Sequence, residues 1–261
     1  MRYDAGAEAY DRLTGRWSSL FSTAALNAAA VATAQTVLDV ATGTGDSALL
    51  AKTETANIAT IIGVDISLPM LQVAARKCST RGLKFVAADA TRLPFRDSTF
   101  DAVLCQFGLM FFPDRILGLR ELRRVLRSGG RVALTVWGPP DRAPFAGLVA
   151  VALARKMPTE RDELVMPFSL ANPAEVESLL FKGGFRNVRV SREVREARFE
   201  SFDDFWTPYE QGGGRLGQAY LSLPLAVRGD VQRDVNRQLA DFTLDAPITM
   251  TLEAYLATAA A

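Results

Sequence analysis

The chain has 261 residues, 49% hydrophobic and 23% charged, which suits one large α/β domain, with or without a sizeable insertion. Thirty basic and 29 acidic residues leave a formal net charge of +1, with no basic stripe interleaved with aromatics, so nucleic acid is not an expected partner. Histidine is absent, which removes imidazole as a general base, a metal ligand or a member of a hydrolytic triad; with no compact carboxylate cluster either, no metal is expected.

The first residues, Met1 to Glu8, lack the positive-then-apolar layout of a signal peptide. The longest clean apolar stretch, Ala146 to Ala154, falls far short of the ~20 residues that span a bilayer. Cys78 and Cys105 give neither a disulfide framework nor metal-ligand spacing, and a reducing cytoplasm is the expected location. Oligomeric state is not legible.

From Gln35 to Trp137 short apolar runs alternate with amphipathic stretches, the pattern of a parallel sheet with crossover helices. Strands are expected at Thr36–Ala41, Ala59–Asp65, Lys84–Ala88, Phe100–Gln106 and Arg131–Trp137, and helices at Asp46–Ala56, Pro69–Cys78 and Asp114–Arg127. In the last helix Ile116, Leu119, Leu122 and Val125 recur at helical spacing, and Gly129-Gly130 reads as its stop. Gly138-Pro139-Pro140 ends the fifth strand. Ala146–Ala154 and Pro173–Lys182 then read as helices, the second closed by Gly183-Gly184. Phe185–Phe199 alternates like a strand, Ser201–Tyr209 is aromatic-rich, Gly212 to Gly214 reads as a flexible joint, and Leu225–Phe242 as a further helix. Ile248–Leu256 is a final strand, expected to pair with the one around Val188–Val194 at one edge of the sheet.

The informative segment is Val37-Leu-Asp-Val-Ala-Thr-Gly-Thr-Gly-Asp46, where a buried strand runs into a glycine turn and then a helix, so that backbone can approach a ligand closely. Alone, Gly43-x-Gly45 is weak, and with Ala48 it also fits the dinucleotide pattern Gly-x-Gly-x-x-Ala. A nicotinamide or flavin enzyme is therefore a rival. Charge separates the two: a pyrophosphate needs the helix N-terminus, and Asp46 there, with Asp39 on the strand, would repel it while favouring an ammonium and a sulfonium. Asp65, ending the second strand, can accept both ribose hydroxyls of either cofactor. Asp89, in Ala88-Asp89-Ala90 before Leu93-Pro94-Phe95, can accept adenine amino hydrogens while the apolar stretch packs beside the ring.

Together with Phe100-Asp-Ala-Val103 and Glu121-Leu-Arg-Arg-Val-Leu-Arg-Ser-Gly-Gly-Arg131, these motifs resemble the class I S-adenosylmethionine-dependent methyltransferases, in particular the ubiquinone and menaquinone biosynthesis branch. The resemblance covers about the first half of the chain. It implies a Rossmann-like α/β fold, with a mostly parallel seven-stranded sheet, helices on both faces, an antiparallel last strand at the edge, and a helical insertion over about 200–247. It also implies one domain over 1–261, with an N-terminal lid (1–34), a cofactor-binding core (35–140) and a remainder (141–261) that completes the sheet.

The resemblance implies transfer of a methyl group from S-adenosylmethionine to oxygen, nitrogen or carbon of a small, largely apolar acceptor that is aromatic, quinone-like or lipid-like. The alternatives are an NAD(P)-dependent oxidoreductase and a non-catalytic S-adenosylmethionine-binding module. By the same resemblance Asp39, Ala41, Thr42, Gly43 and Gly45 surround the methionyl moiety, Asp65 holds the ribose, Ile66 and Met70 flank the adenine, and Asp89 and Ala90 meet its edge. Gln106 and Phe107 line the sulfonium region, and Tyr10 and Trp17 are the lid's contacts. One departure is Ala41, where the family's first glycine stands.

Phe111, Trp137, Phe205, Trp206 and Tyr209 are the candidate acceptor contacts. Each can equally be packing, since aromatics after a central strand or at helical spacing serve a core as readily as a pocket wall. Methyl transfer from an activated donor needs no obligatory base; if an acceptor requires one, carboxylates or tyrosines such as Tyr10 and Tyr209 remain.

Overall fold

Side chains alternate across each strand, so an apolar strand covered on both faces feeds two separate cores. The computed structural model describes residues 6–55, 58–78, 82–239 and 247–261. Its sheet contains β1 (Thr36–Val40), β2 (Thr60–Asp65), β3 (Leu83–Ala87), β4 (Phe100–Gln106), β5 (Leu126–Trp137), β6 (Arg186–Phe199) and β7 (Ile248–Ala260), in the order β3-β2-β1-β4-β5-β7-β6. Strands β1 to β5 pair in parallel, and β7 runs antiparallel to both neighbours.

Ahead of the sheet lie α1 (Ala7–Tyr10), a π-helical turn at Asp11–Gly15, α2 (Arg16–Ser18) and α3 (Ser22–Ala28). Helix α4 (Asp46–Glu54) follows β1, α5 (Leu68–Lys77) follows β2, and α6 (Arg115–Val125) follows β4. After β5 come α7 (Pro144–Lys156), α8 (Arg161–Val165) and α9 (Pro173–Lys182), while α10 (Phe202–Glu210), α11 (Gly214–Ser222) and α12 (Leu225–Leu239) form the insertion between β6 and β7. Among the described residues no helix is long and apolar enough to cross a membrane.

The alternation is visible in the packing. Val37 of β1 with Ala102 and Leu104 of β4 meets Ala25 of α3 and Ala48 of α4 on one face. Leu38, Val40, Val103 and Cys105 meet Leu119 and Leu122 of α6 on the other. All of these side chains are buried, and at about 25 cal/mol per Å² of apolar surface this two-sided burial is the main favourable term for the sheet.

Three details differ from the sequence expectation. Helix α6 stops at Val125 because Leu126 already pairs with Phe100; Gly129, at φ +78°, then serves the irregularity before Arg131 pairs with Ala102, so it shapes a strand and does not cap a helix. The last strand is antiparallel, as expected, but stands one place in from the edge. β6, with arginine or glutamate at most exposed positions, tolerates the outer place, whereas β7 is mostly buried along its length. Gly212 to Gly214 form a packed turn between α10 and α11, with Gly212 and Gly214 at positive φ and a Cβ on Gly213 only 2.7 Å from the Pro208 carbonyl oxygen. The helix expected to reach Phe242 is described to Leu239, and residues 240–246 lie outside the described residues.

The insertion is held to the sheet by aromatic packing. Phe205 of α10 lies 5.2 Å from Phe199 of β6 in an edge-on arrangement, Trp206 meets Tyr220 of α11 at 5.2 Å, and Phe199 carries Trp17 of α2 at 4.6 Å. Phe205 and Trp206 are fully buried. Phe205→Ala is therefore expected to destabilise the fold by about 3–5 kcal/mol, read as a shifted urea midpoint at unchanged slope.

Candidate active site

The strand order reverses direction between β1 and β4, and the crevice above the carboxyl ends of such strands is where open α/β sheets take ligands. Here it opens into a cavity of about 220 Å³, joined by a side cleft of about 30 Å³ with which it shares Tyr10, Ala41, Gly43, Gln106 and Phe107. The side cleft is bounded by Asp39, Thr42, Thr44, Asp46 and Ser47.

The turn after β1 makes the floor. Ala41, Gly43 and Gly45 all have positive φ, at 56°, 55° and 86°. For Ala41 this is a strained conformation, whose methyl is accommodated by Gly108, where a Cβ would stand 2.4 Å away. A Cβ on Gly43 would meet nothing within 4 Å, so that glycine faces open space in which a ligand can sit against bare backbone. Gly45 differs: it lines neither space, and its Cβ would press on Ala74, Phe85 and Cys78. It is there for the turn and for the packing of α4.

Asp39 is buried, accepts from the Thr42 hydroxyl at 2.7 Å and from the Ala48 amide, and forms no ion pair among the described residues. Burial raises its carboxyl to about 7, with nearby Asp65 and Asp46 adding to the effect. Asp65, at the end of β2, accepts from the Gly43 amide at 2.9 Å and the Ser67 amide at 2.9 Å, and burial moves its carboxyl upward as well. Asp46 is engaged otherwise: Lys77 bridges it, at 2.7 Å, to Asp11 of the π-helical turn, at 2.5 Å. The repulsion of phosphate expected at this helix start is thereby weakened, since Lys77 pairs with Asp46 and burial favours the protonated forms of Asp39 and Asp65.

Farther along the wall, Ile66, Met70, Asp89 and Ala90 line the cavity, with Ile66 67% exposed and Asp89 accepting from the Thr91 amide and hydroxyl at 2.7 Å each. Gln106 is fixed from three sides: it accepts from the Ser47 hydroxyl at 2.9 Å and donates to the Ser18 carbonyl at 2.5 Å and the Ser22 hydroxyl at 3.1 Å. That amide ties β4 to the N-terminal segment.

Phe107 stands at positive φ (52°), rare for an aromatic residue, held by its amide donating to the Thr135 carbonyl at 2.9 Å. Its ring stacks on Trp137 at 3.8 Å. Phe111, Trp137 and Tyr209 also line the cavity, and the Tyr209 hydroxyl donates to the Phe145 carbonyl at 2.6 Å.

Three expected contacts stand outside the cavity. Trp17 packs on Phe199 under the Arg16 guanidinium, which lies 4.2 Å from the Trp17 ring centre, while Phe205 and Trp206 are spent on docking the insertion. Neither tyrosine suits the role of base: burial pushes the phenols of Tyr10 and Tyr209 far up, so both stay protonated near neutral pH. Sequence reasoning missed Leu13, Phe145, Leu164 and Arg215, all in the lining, while Phe112, in the aromatic cluster after β4 that reads as core or pocket wall alike, lines it too. Phe145 immediately precedes the apolar run Ala146–Ala154, read only as a helix, and Leu13, Leu164 and Arg215 carry no local signal.

A methyltransferase-domain family pattern matches residues 38–134. A demethylmenaquinone methyltransferase of Thermus thermophilus is 45% identical over 124 residues, 47% of this chain and 56% of the relative. One from Staphylococcus aureus is 33% identical over 165 residues, 59% of this chain and 68% of the relative. The chain belongs to the class I S-adenosylmethionine-dependent methyltransferase family. It spans about half the length of the first curated relatives it matches, including 51% of that from Deinococcus radiodurans. In fold, this methyltransferase-family chain is similar to Haemonchus contortus phosphoethanolamine N-methyltransferase 2 in complex with phosphomonomethylethanolamine and S-adenosylhomocysteine, at a TM-score of 0.61 and 19% identity, covering 98% of this chain and 57% of that one.

The buried carboxylate generates a test on the free protein. An unfolded aspartate titrates near 3.8 and Asp39 at about 7, so between these values the folded chain holds a proton that the unfolded chain has lost. Stability from this group is full below pH 4, falls as pH rises toward 7 and is flat above, a loss on the order of 4 kcal/mol. Asp39→Asn is expected to remove that slope, being more stable than wild type at pH 8 and close to it at pH 4.5 in urea unfolding. An unchanged pH difference would show that Asp39 ionises normally.

Proposed function

We propose that this chain transfers a methyl group from S-adenosylmethionine to a small, largely apolar acceptor. One observation carries the reading: an acidic, glycine-floored cleft above β1 and β2 opens at Gln106 and Phe107 directly into a chamber walled by aromatic side chains. The S-adenosylhomocysteine named in the Haemonchus complex supports the donor. The name of the sequence relatives supports a quinol-like ring as acceptor.

The residues fit the donor. Asp39, buried without a cation, suits the ammonium of the methionyl end beside Ala41, Thr42 and Gly43. Asp65 has lone pairs left for ribose hydroxyls after its two amide bonds. Ile66, whose exposed side chain forms part of the wall, and Met70 suit the adenine faces, with Asp89 and Ala90 at its edge. When bound, S-adenosylmethionine supplies a methyl group already activated on a positively charged sulfur.

The chain's own part is positioning and exclusion of water. Tyr10, Leu13 and Thr14 cover the crevice from the N-terminal side. Gln106, locked by three serines, borders the junction on one side, and the Phe107 ring, held on Trp137, borders it on the other. A planar acceptor against these rings is aligned by contact alone. With both tyrosines protonated, neither takes a proton from the acceptor, which suits an acceptor atom that ionises by its own acidity or is neutral and nucleophilic already.

The nicotinamide reading is weaker. The amides that would cradle a pyrophosphate are engaged: Gly43 donates to Asp65, Gly45 to the Thr42 carbonyl and Ala48 to Asp39. A binding module without transfer shares the fold, which does not by itself confer activity. Release of S-adenosylhomocysteine in a screen of phenols, quinols and lipid-like acceptors distinguishes them.

Calorimetry is expected to detect S-adenosylhomocysteine binding and no NAD binding. Below pH 7 binding should expel the Asp39 proton, making the observed enthalpy depend on buffer ionisation. Asp65→Ala should weaken binding by roughly 1.5–3 kcal/mol, the range for lost charge-assisted hydrogen bonds. Tight NAD binding, or an unaffected Asp65→Ala variant, contradicts this assignment.

A further inference from the structure

The cavity's lining is mostly apolar, and Arg215 of α11 and Glu163 of α8 both enter it. Arg215 is the one cation among the described lining residues. Two other polar groups of the lining are committed: the Tyr209 hydroxyl donates to a carbonyl, and the Gln106 amide is held by three serines. Arg215 is not. Its Nε is buried with no hydrogen-bond partner, and only one terminal nitrogen is engaged, by Glu163 and, at 3.8 Å, by Glu160.

Those two glutamates are poor permanent partners. Glu163 is 52% and Glu160 44% exposed at the side chain, against 29% for Arg215, so water competes for them and the pairs contribute little. A guanidinium offers a planar fork of donors that matches a carboxylate two-point, and such charge-assisted bonds strengthen where water is scarce. The aromatic walls formed by Phe107, Phe111, Trp137 and Phe145 provide that setting. A guanidinium in the lining with only one of its two terminal nitrogens engaged keeps donor capacity for an oxygen brought in from the chamber.

Resting on the methyltransferase reading, we propose that Arg215 is a specificity-determining residue that exchanges Glu163 for an anionic oxygen of the acceptor. The acceptor class is then an aromatic compound bearing an acidic group, and Glu163 acts as a resting counter-charge that an uncharged acceptor would not displace.

The test is calorimetry with S-adenosylhomocysteine present, titrating benzoate, 4-phenylbenzoate and 2-naphthoate, each against its neutral amide. In wild type at least one acid should bind about tenfold or more tightly than its amide. Arg215→Leu should erase the preference by weakening the acid and not the amide, while Arg215→Lys keeps part of it. Glu163→Gln decides between recognition and mere structure: it should tighten the acid several-fold by freeing Arg215, whereas loss of a structural ion pair would tighten nothing. Equal binding of acids and amides, no binding of any acid, or a Glu163→Gln variant that does not tighten the acid overturns the proposal. S-adenosylhomocysteine affinity, measured alone in wild type and all three variants, should stay the same. Its absence in wild type would sink the methyltransferase reading itself, a separate outcome from loss of acid preference.

Discussion

The site depends on a carboxylate placed where burial is costly. Asp39 sits on the interior strand β1, its oxygens taking the Thr42 hydroxyl and the Ala48 amide. It therefore closes the glycine turn and satisfies part of the start of α4 in one interaction, a use of the free amides every helix leaves at its first turn. Without a cation beside it, the price is a proton retained to about pH 7. A ligand carrying an ammonium group removes that penalty, which couples the stability of the floor to occupancy of the cleft.

Around this floor, strain gathers where the two halves of the cavity meet. Ala41 and Phe107, each one residue past the end of neighbouring strands β1 and β4, both hold left-handed backbone. Each is locked from outside, Ala41 against Gly108 and Phe107 through Thr135 and the stack on Trp137. Backbone held in such conformations persists when its surroundings over-determine it, and here those surroundings are the sheet itself. The junction is rigid for that reason, and rigidity suits a reaction governed by alignment.

The N-terminal segment links the two halves physically. Lys77 of α5 holds Asp11, Arg12 bonds Gln211 after α10 at 2.7 Å, and Arg16 reaches the Arg198 carbonyl of β6 at 3.1 Å. Exposed pairs of this kind contribute little individually. Their arrangement matters more, because one strap carrying Tyr10, Leu13 and Thr14 borders both spaces at once.

The local sequence determined the Rossmann-like core almost residue by residue. Strands such as Phe100–Gln106 and helices such as Pro173–Lys182 follow from periodicity and caps, and Asp39 stood out because an acid inside an apolar strand is costly unless used, while Asp65 and Asp89 stood out by their place at or just after strand ends. Only tertiary structure decided which aromatics face the cavity: Phe205 and Tyr209 lie four residues apart on one helix, yet the first packs on Phe199 and the second reaches the chamber. It also decided that Asp46 belongs to Lys77, and that Glu163 and Arg215 meet across 52 residues. Periodicity reports which side of an element is buried. It does not report what that side is buried against, because the partner comes from a distant segment chosen by how the elements pack.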